Sequence, residues 1–316
     1  MRFRRLGRTE LMVSEIALGT VELGLDYGIR TGAESNQPSE QEAGILLKKA
    51  LDMGINFIDT AAAYGTSETV IGRALRGRRA DFFIATKCMH YCDRETDASE
   101  IRRRIEGSID ESLTRLNMEV IDLIQIHGRE IVDVELRMIA DGEVYGALDK
   151  ARRDGKVRYI GYSSYWPEVS RAIVDDGGWD TLQFAYNVMD QRHGDVIETA
   201  IERDLGLIVR SALLKGALTS KAEFLPDHLR PLVEKARELE GLLTDAIPTL
   251  PQLALRFVLS NPAIASIVVG ADRIPYVEEA VSVSDGAGLP EKVLEWAKAA
   301  ALTDPALINP SKWGIP

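Results

Sequence analysis

Short apolar runs recur along the chain, each closing on polar or small residues and each followed by apolar positions at helical spacing. Eight of them stand out, at residues 16–18, 56–58, 82–85, 121–126, 159–161, 181–184, 207–209 and 266–269. They are apolar along their length instead of alternating, which is what parallel strands buried on both faces require. Strand and helix in turn, eight times over, is the pattern of repeated βα units. The helix ends are marked. Ser39 with Glu42 three residues later reads as a capping box, and Gly54 supplies a stop after Leu51. Ile101, Ile105, Ile109, Leu113 and Leu116 repeat at helical spacing and predict one stripe laid on a sheet. Pro167 suits the first position of a helix. Residues 1–14, ahead of the first unit, predict a small hairpin that closes the bottom of the fold.

Eight βα units build either a (β/α)8 TIM barrel or an open, doubly wound sheet. The open sheet usually carries Gly-x-Gly-x-x-Gly after its first strand, where backbone amides at a helix start take a pyrophosphate. No such turn occurs, so an α/β barrel is the expected fold. No linker rich in Pro, Gly or Ser divides residues 1–316, which read as one domain. Three connections are long enough to build a site, at 21–38, 128–141 and 211–230, and all follow strand ends, where barrel enzymes place their chemistry.

Composition narrows the function. With 45% hydrophobic and 28% charged residues the chain is an ordinary globular one. A net charge of −11 argues against nucleic acid, whose binders need a basic face to release counterions. The basic clusters at Arg2, Arg4 and Arg5, at Arg76, Arg78 and Arg79, and at Arg102 to Arg104 read as solvated faces. Cys88 and Cys92, the two cysteines, cannot make a disulfide framework or a metal ligand set, and are expected as free thiols in a reducing cytoplasm. No signal peptide, membrane span or metal site is expected.

The ends of the second, third and fourth expected strands carry four titratable groups: Asp59 with Tyr64 a few residues on, Lys87, and His127. Singly, each has a bland reading: Asp59 as a helix cap, Lys87 as a paired charge, Tyr64 and His127 as packed rings. Placed together at one end of a barrel they suit carbonyl reduction. A tyrosine's ordinary pKa, roughly 10, is high for proton exchange near neutrality. An adjacent Lys87 ammonium, held by Asp59, is expected to lower it, making Tyr64 a proton donor. His127 is expected to hydrogen-bond the substrate oxygen as negative charge develops there. His90, His193 and His228 lack such company. A metal-dependent barrel hydrolase would need several convergent ligands at strand ends, and His127 is the single histidine so placed.

The segments Phe57-Ile58-Asp59-Thr60-Ala61-Ala62-Ala63-Tyr64-Gly65, Ala85-Thr86-Lys87 and Asp122-Leu123-Ile124-Gln125-Ile126-His127 resemble those of the aldo-keto reductases. The resemblance runs from Leu6-Gly7-Arg8-Thr9 to Val268-Val269-Gly270-Ala271, and all four members of that family's catalytic tetrad are present as Asp59, Tyr64, Lys87 and His127. It implies an oxidoreductase interconverting a carbonyl and an alcohol, with NADP(H) the more usual cofactor, bound extended without a Rossmann fold. NAD(H) stays open. By the same resemblance Ser163, Ser164 and Gln183 face the nicotinamide carboxamide, with Ser164 in place of a commoner asparagine. Arg210 takes a stacking position, Ser211 and Leu213 line the pyrophosphate and ribose, and Gly19 and Thr20 stand beside the nicotinamide.

After the last strand, Gly270, Arg273 and Glu279 fall at cofactor positions, but Arg273 is the one cation between Gly270 and Ala280. Asp272 would repel a 2′-phosphate if it faced the site, and Tyr276 stands where an arginine is frequent. Weak cofactor discrimination is the expectation. The start of the chain is similar to a bacterial and plant branch that includes sugar dehydrogenases, which implies a small aldehyde, ketone or sugar substrate. Tyr27, Trp166 and Trp313 are candidates to line its pocket, or else packing aromatics. The alternative is a non-catalytic, cofactor-binding regulatory subunit of the same fold.

Overall fold

The computed structural model describes residues 1–32, 35–93 and 97–315. Two short strands, β1 (Phe3–Arg5) and β2 (Met12–Ser14), pair antiparallel, with Phe3 opposite Ser14 and Arg5 opposite Met12. Eight more form a closed parallel barrel: β3 (Ile16–Gly19), β4 (Phe57–Asp59), β5 (Phe83–Met89), β6 (Ile121–His127), β7 (Val157–Ser164), β8 (Thr181–Ala185), β9 (Gly206–Arg210) and β10 (Ile264–Gly270). Neighbours in sequence are neighbours in the sheet, and β10 closes it against β3 through Val268 opposite Ala17 and Gly270 opposite Gly19. The fold is therefore a (β/α)8 TIM barrel with an added N-terminal hairpin.

The helices end where their sequences say. Ser39 and Glu42 exchange both capping-box hydrogen bonds at the start of helix Glu40–Asp52, and Pro167 opens helix Pro167–Asp176. Helix Ala98–Leu116 buries Ile101, Ile105, Ile109 and Leu116 along one stripe. One expectation needs correction. Residues 128–141 are not a long loop, because Val132–Asp141 is helical, burying Val134, Met138 and Ile139 at helical spacing. The described residues of 21–38 and the segment 211–230 are largely irregular, the second holding three short helices.

Side chains inside the barrel change character along each strand. Near the N-terminal ends they are apolar: Ala17, Phe57, Ala85, Leu123, Ile208 and Ala265 form one cluster, and Leu6, Leu11 and Val13 of the hairpin plug it from below. Two residues further along, on the same face of their strands, come Asp59, Lys87, Gln125 and Arg210. The polar layer at the C-terminal ends is where the site lies.

Candidate active site

The polar layer is organised around Asp59, the last residue of β4. Its Oδ1 accepts from Lys87 Nζ, and its Oδ2 accepts from Gln183 Nε2 at 2.8 Å and Gln125 Nε2 at 3.1 Å. Lys87 also donates to the Thr60 carbonyl at 3.0 Å. Burial is near complete, with Asp59 2% and Lys87 1% exposed. Such an ion pair survives out of water because each charge has several partners fixed by the barrel.

Tyr64 sits in front of this pair. Its turn hydrogen-bonds back through Tyr64 N to Ala61 O at 3.0 Å, and Ala62 N reaches Lys87 O at 3.0 Å. Gly24, from the first long connection, packs so closely on the Tyr64 carbonyl that any side chain there would collide with it. Lys87 Nζ lies 5.1 Å from the Tyr64 ring centroid, and the His127 ring meets Tyr64 edge-on at 5.7 Å and 88°. Phenol, ammonium, carboxylate and imidazole thus converge.

Their ionisation differs from expectation in one respect. The Tyr64 hydroxyl is held well above the usual phenol range, by burial first and then by the negative Asp59. Any lowering by Lys87 is outweighed, since Asp59 pairs with that positive charge and burial pushes the Lys87 ammonium itself down. His127 is pushed down to about 3 by burial, with Lys87 and Arg210 adding to the effect, so the imidazole is neutral near pH 7. Its Nδ1 is buried with no partner.

From this cluster a groove of about 530 Å³ runs across the C-terminal face. Asp59, Tyr64, His127 and Gln183 line one end, and Gly270, Asp272, Tyr276 and Glu279 line the other. Arg210, closing β9, lies between, its guanidinium 4.3 Å from the Tyr165 ring centroid and donating to Ser164 O at 2.9 Å.

The model of the Aldo/keto reductase family matches residues 15–300. The chain belongs to the aldo/keto reductase family. It is 27% identical to the uncharacterized oxidoreductase YqkF of Bacillus subtilis over 314 residues, covering 93% of this chain and 95% of that one. It is 28% identical to the L-galactose dehydrogenase of Arabidopsis thaliana, over 95% of this chain and 94% of that one. Among solved structures, the holo form of an aldo-keto reductase from Bacillus halodurans superposes with a TM-score of 0.78 at 25% identity, covering 99% of both chains. Family membership makes the protein an oxidoreductase of the carbonyl–alcohol class.

Of the residues marked in this reductase by sequence, Gly19, Thr20, Ser211 and Leu213 line the groove along with those already named. Four do not. Lys87 lies behind Tyr64, and Ser163 stands back, its hydroxyl donating to Gln183 Oε1 at 3.1 Å. The Ser164 hydroxyl turns to its own segment, donating to Trp166 O at 3.0 Å and accepting from Trp166 N at 3.3 Å. Arg273 pairs with Asp272 at 3.3 Å, with 59% of its side chain exposed. Among the aromatics Tyr27 lines the groove, while Trp313 is buried, donating to Leu307 O at 3.0 Å, and Trp166 packs on the core. Sequence reasoning missed Glu22, Tyr165, Lys215 and Lys221 as lining residues. Tyr165 had a signal, since it follows directly on the segment ending at Ser164.

Proposed function

We propose that the protein is a nicotinamide-dependent reductase or dehydrogenase acting on an aldehyde, ketone or sugar, with Tyr64 as general acid and base. The convergence of Tyr64 with the Lys87–Asp59 pair and His127 at one end of an elongated groove is the observation that carries this reading. The groove fits an extended dinucleotide, offering buried polar atoms without protein partners, His127 Nδ1 and Glu22 Oε2, along its walls. When bound, the dinucleotide supplies or accepts the hydride. Gln183, fixed by Asp59 and Ser163, and Arg210 would hold its nicotinamide end.

The chain's own part is to manage charge on the substrate oxygen. The neutral His127 donates a hydrogen bond to that oxygen, and Tyr64 passes it a proton as it becomes an alkoxide. A phenol held above its usual range remains protonated at every ordinary pH, so the donor form is always present. Once the proton leaves, the phenolate faces the Lys87 ammonium, which stabilises it; the oxidative direction reverses these steps.

Turnover tests the reading. Purified protein is given NADH or NADPH with a panel of aldehydes, ketones and aldoses, and the loss of reduced nicotinamide absorbance is followed beside Tyr64→Phe. Measurable turnover that the variant lacks supports it. Dinucleotide binding with equally negligible turnover in both proteins gives way to the non-catalytic, cofactor-binding subunit.

A further inference from the structure

The end of the groove away from Tyr64 has an unusual balance of charge. Glu240, Asp272 and Glu279 line it against Lys221, with Glu22 beside Gly270 between this end and Tyr64, and Arg273 outside the lining but paired with Asp272. Both cations are engaged. Lys221 Nζ lies 5.3 Å and Arg273 Cζ 5.4 Å from the Tyr276 ring centroid, and Arg273 spans both carboxylate oxygens of Asp272 at 3.3 Å. Asp272 itself is 5% exposed. The Glu22 carboxylate lies against Gly270, where any Cβ would run into it, and its Oε2 is buried without a partner. Thr249 donates to Glu279 at 2.6 Å.

If the nicotinamide reading above holds, on which this inference rests, the adenosine half of the dinucleotide falls at this end. A ribose 2′-phosphate is a dianion that wants charged, forked donors, whereas an unmodified ribose offers two hydroxyl donors and wants an acceptor. The groove supplies acceptors in excess. We propose that this end selects an unphosphorylated adenosine ribose, so that the reductase uses NAD(H) in preference to NADP(H), with Asp272 accepting from the ribose hydroxyls and repelling a phosphate. The departure from the NADP(H) that family resemblance favours comes from this chain's own carboxylates, and exclusion by like charge is as effective a source of specificity as attraction.

The test is titration of the wild type with NADH and with NADPH at low salt, following reduced-nicotinamide fluorescence. NADH is expected to bind at least about tenfold more tightly, the scale of one like-charge contact near a protein surface. Asp272→Asn, which keeps shape and removes charge, should tighten NADPH several-fold and weaken NADH, whose ribose hydroxyls lose a charged acceptor, and so bring the ratio close to one. Wild-type binding of NADPH as tight as NADH or tighter overturns the selection and leaves the nicotinamide reading standing, as does a ratio that the natively folded variant does not move. Binding of neither dinucleotide removes the nicotinamide reading, and the selection with it. The wild-type ratio decides even where a variant does not fold.

Discussion

The two ends of the barrel handle buried polar groups in opposite ways. At the bottom, Glu15 accepts from Arg4 and Ser284, both at 2.8 Å, and Arg4 also donates to the carbonyls of Leu259, Asn261 and Ile264. Asp122 there accepts from Arg79, Arg158 and the amide of Ile84. These carboxylates have filled their bonding, and the Leu6, Leu11 and Val13 plug seals the interior beside them. At the top, Asp59 is satisfied, but Gln125 Oε1, His127 Nδ1 and Glu22 Oε2 are left without partners. A buried polar atom without a hydrogen bond costs about 1–3 kcal/mol. The bottom carboxylates are therefore bonded out, although the Thr181 hydroxyl at the start of β8 lacks a partner there, while the top leaves polar atoms open along the groove.

Substitutions at the two ends should split activity from stability. The largest effect belongs to Tyr64→Phe. Loss of a positioned proton donor lowers kcat by about 10²–10⁴, and because the structure shows no hydrogen bond to that hydroxyl among the described residues, the urea midpoint should stay put. A midpoint that falls in step with activity would make Tyr64 a structural residue and erase the contrast. Leu6→Ala is the counterpart at the bottom. Leu6 is 0% exposed, and truncating such a side chain in a packed core costs about 3 kcal/mol. Assayed well below its transition, that variant should keep wild-type kcat/KM. A large kinetic defect there would mean the plug reaches the site.

How much was legible in the sequence follows the same division. Each of the eight apolar runs became a strand, because a buried parallel strand must be apolar over the layer that packs on helices. The strands themselves run further than the runs. β5 continues through Thr86 and Lys87 to Met89, and β7 begins at Val157 and ends at Ser164, since barrel hydrogen bonding is carried by backbone and is indifferent to side-chain polarity. Asp59, Lys87 and His127 could be read from sequence because regular strands carry them to known ends. Lys215 and Lys221 could not. Their loop turns on Ser211, Leu214 and Lys215, three non-glycine residues at positive φ, a conformation that residue type does not announce. Glu22 was hidden for a related reason, since its burial depends on Gly270 from the far end of the chain. The expected net lowering of Tyr64 is outweighed by burial and the charge of Asp59, which are properties of three dimensions.

The smallest predicted effect concerns Glu22 and the pH dependence of the top. Burial raises its carboxyl from the ordinary 4.5 to about 7, Asp272 raising it further and Lys221 opposing. In the unfolded chain the group ionises near its ordinary value. Below that value both states hold the proton and Glu22 does not weaken the fold. As pH rises toward about 7 the unfolded chain gives up the proton while the folded one retains it, and stability drains away through that interval, then levels off once the folded carboxyl has ionised too. Glu22→Gln has no proton to lose. The variant should match the wild type near pH 4.5 and exceed it by about 3 kcal/mol above pH 7.5, a gap read from urea midpoints at several pH values. Parallel curves for Glu22→Gln and wild type across that interval would mean that Glu22 is ionised in the folded groove throughout, and the top of the barrel would then tolerate a bare carboxylate that the present geometry says it resists.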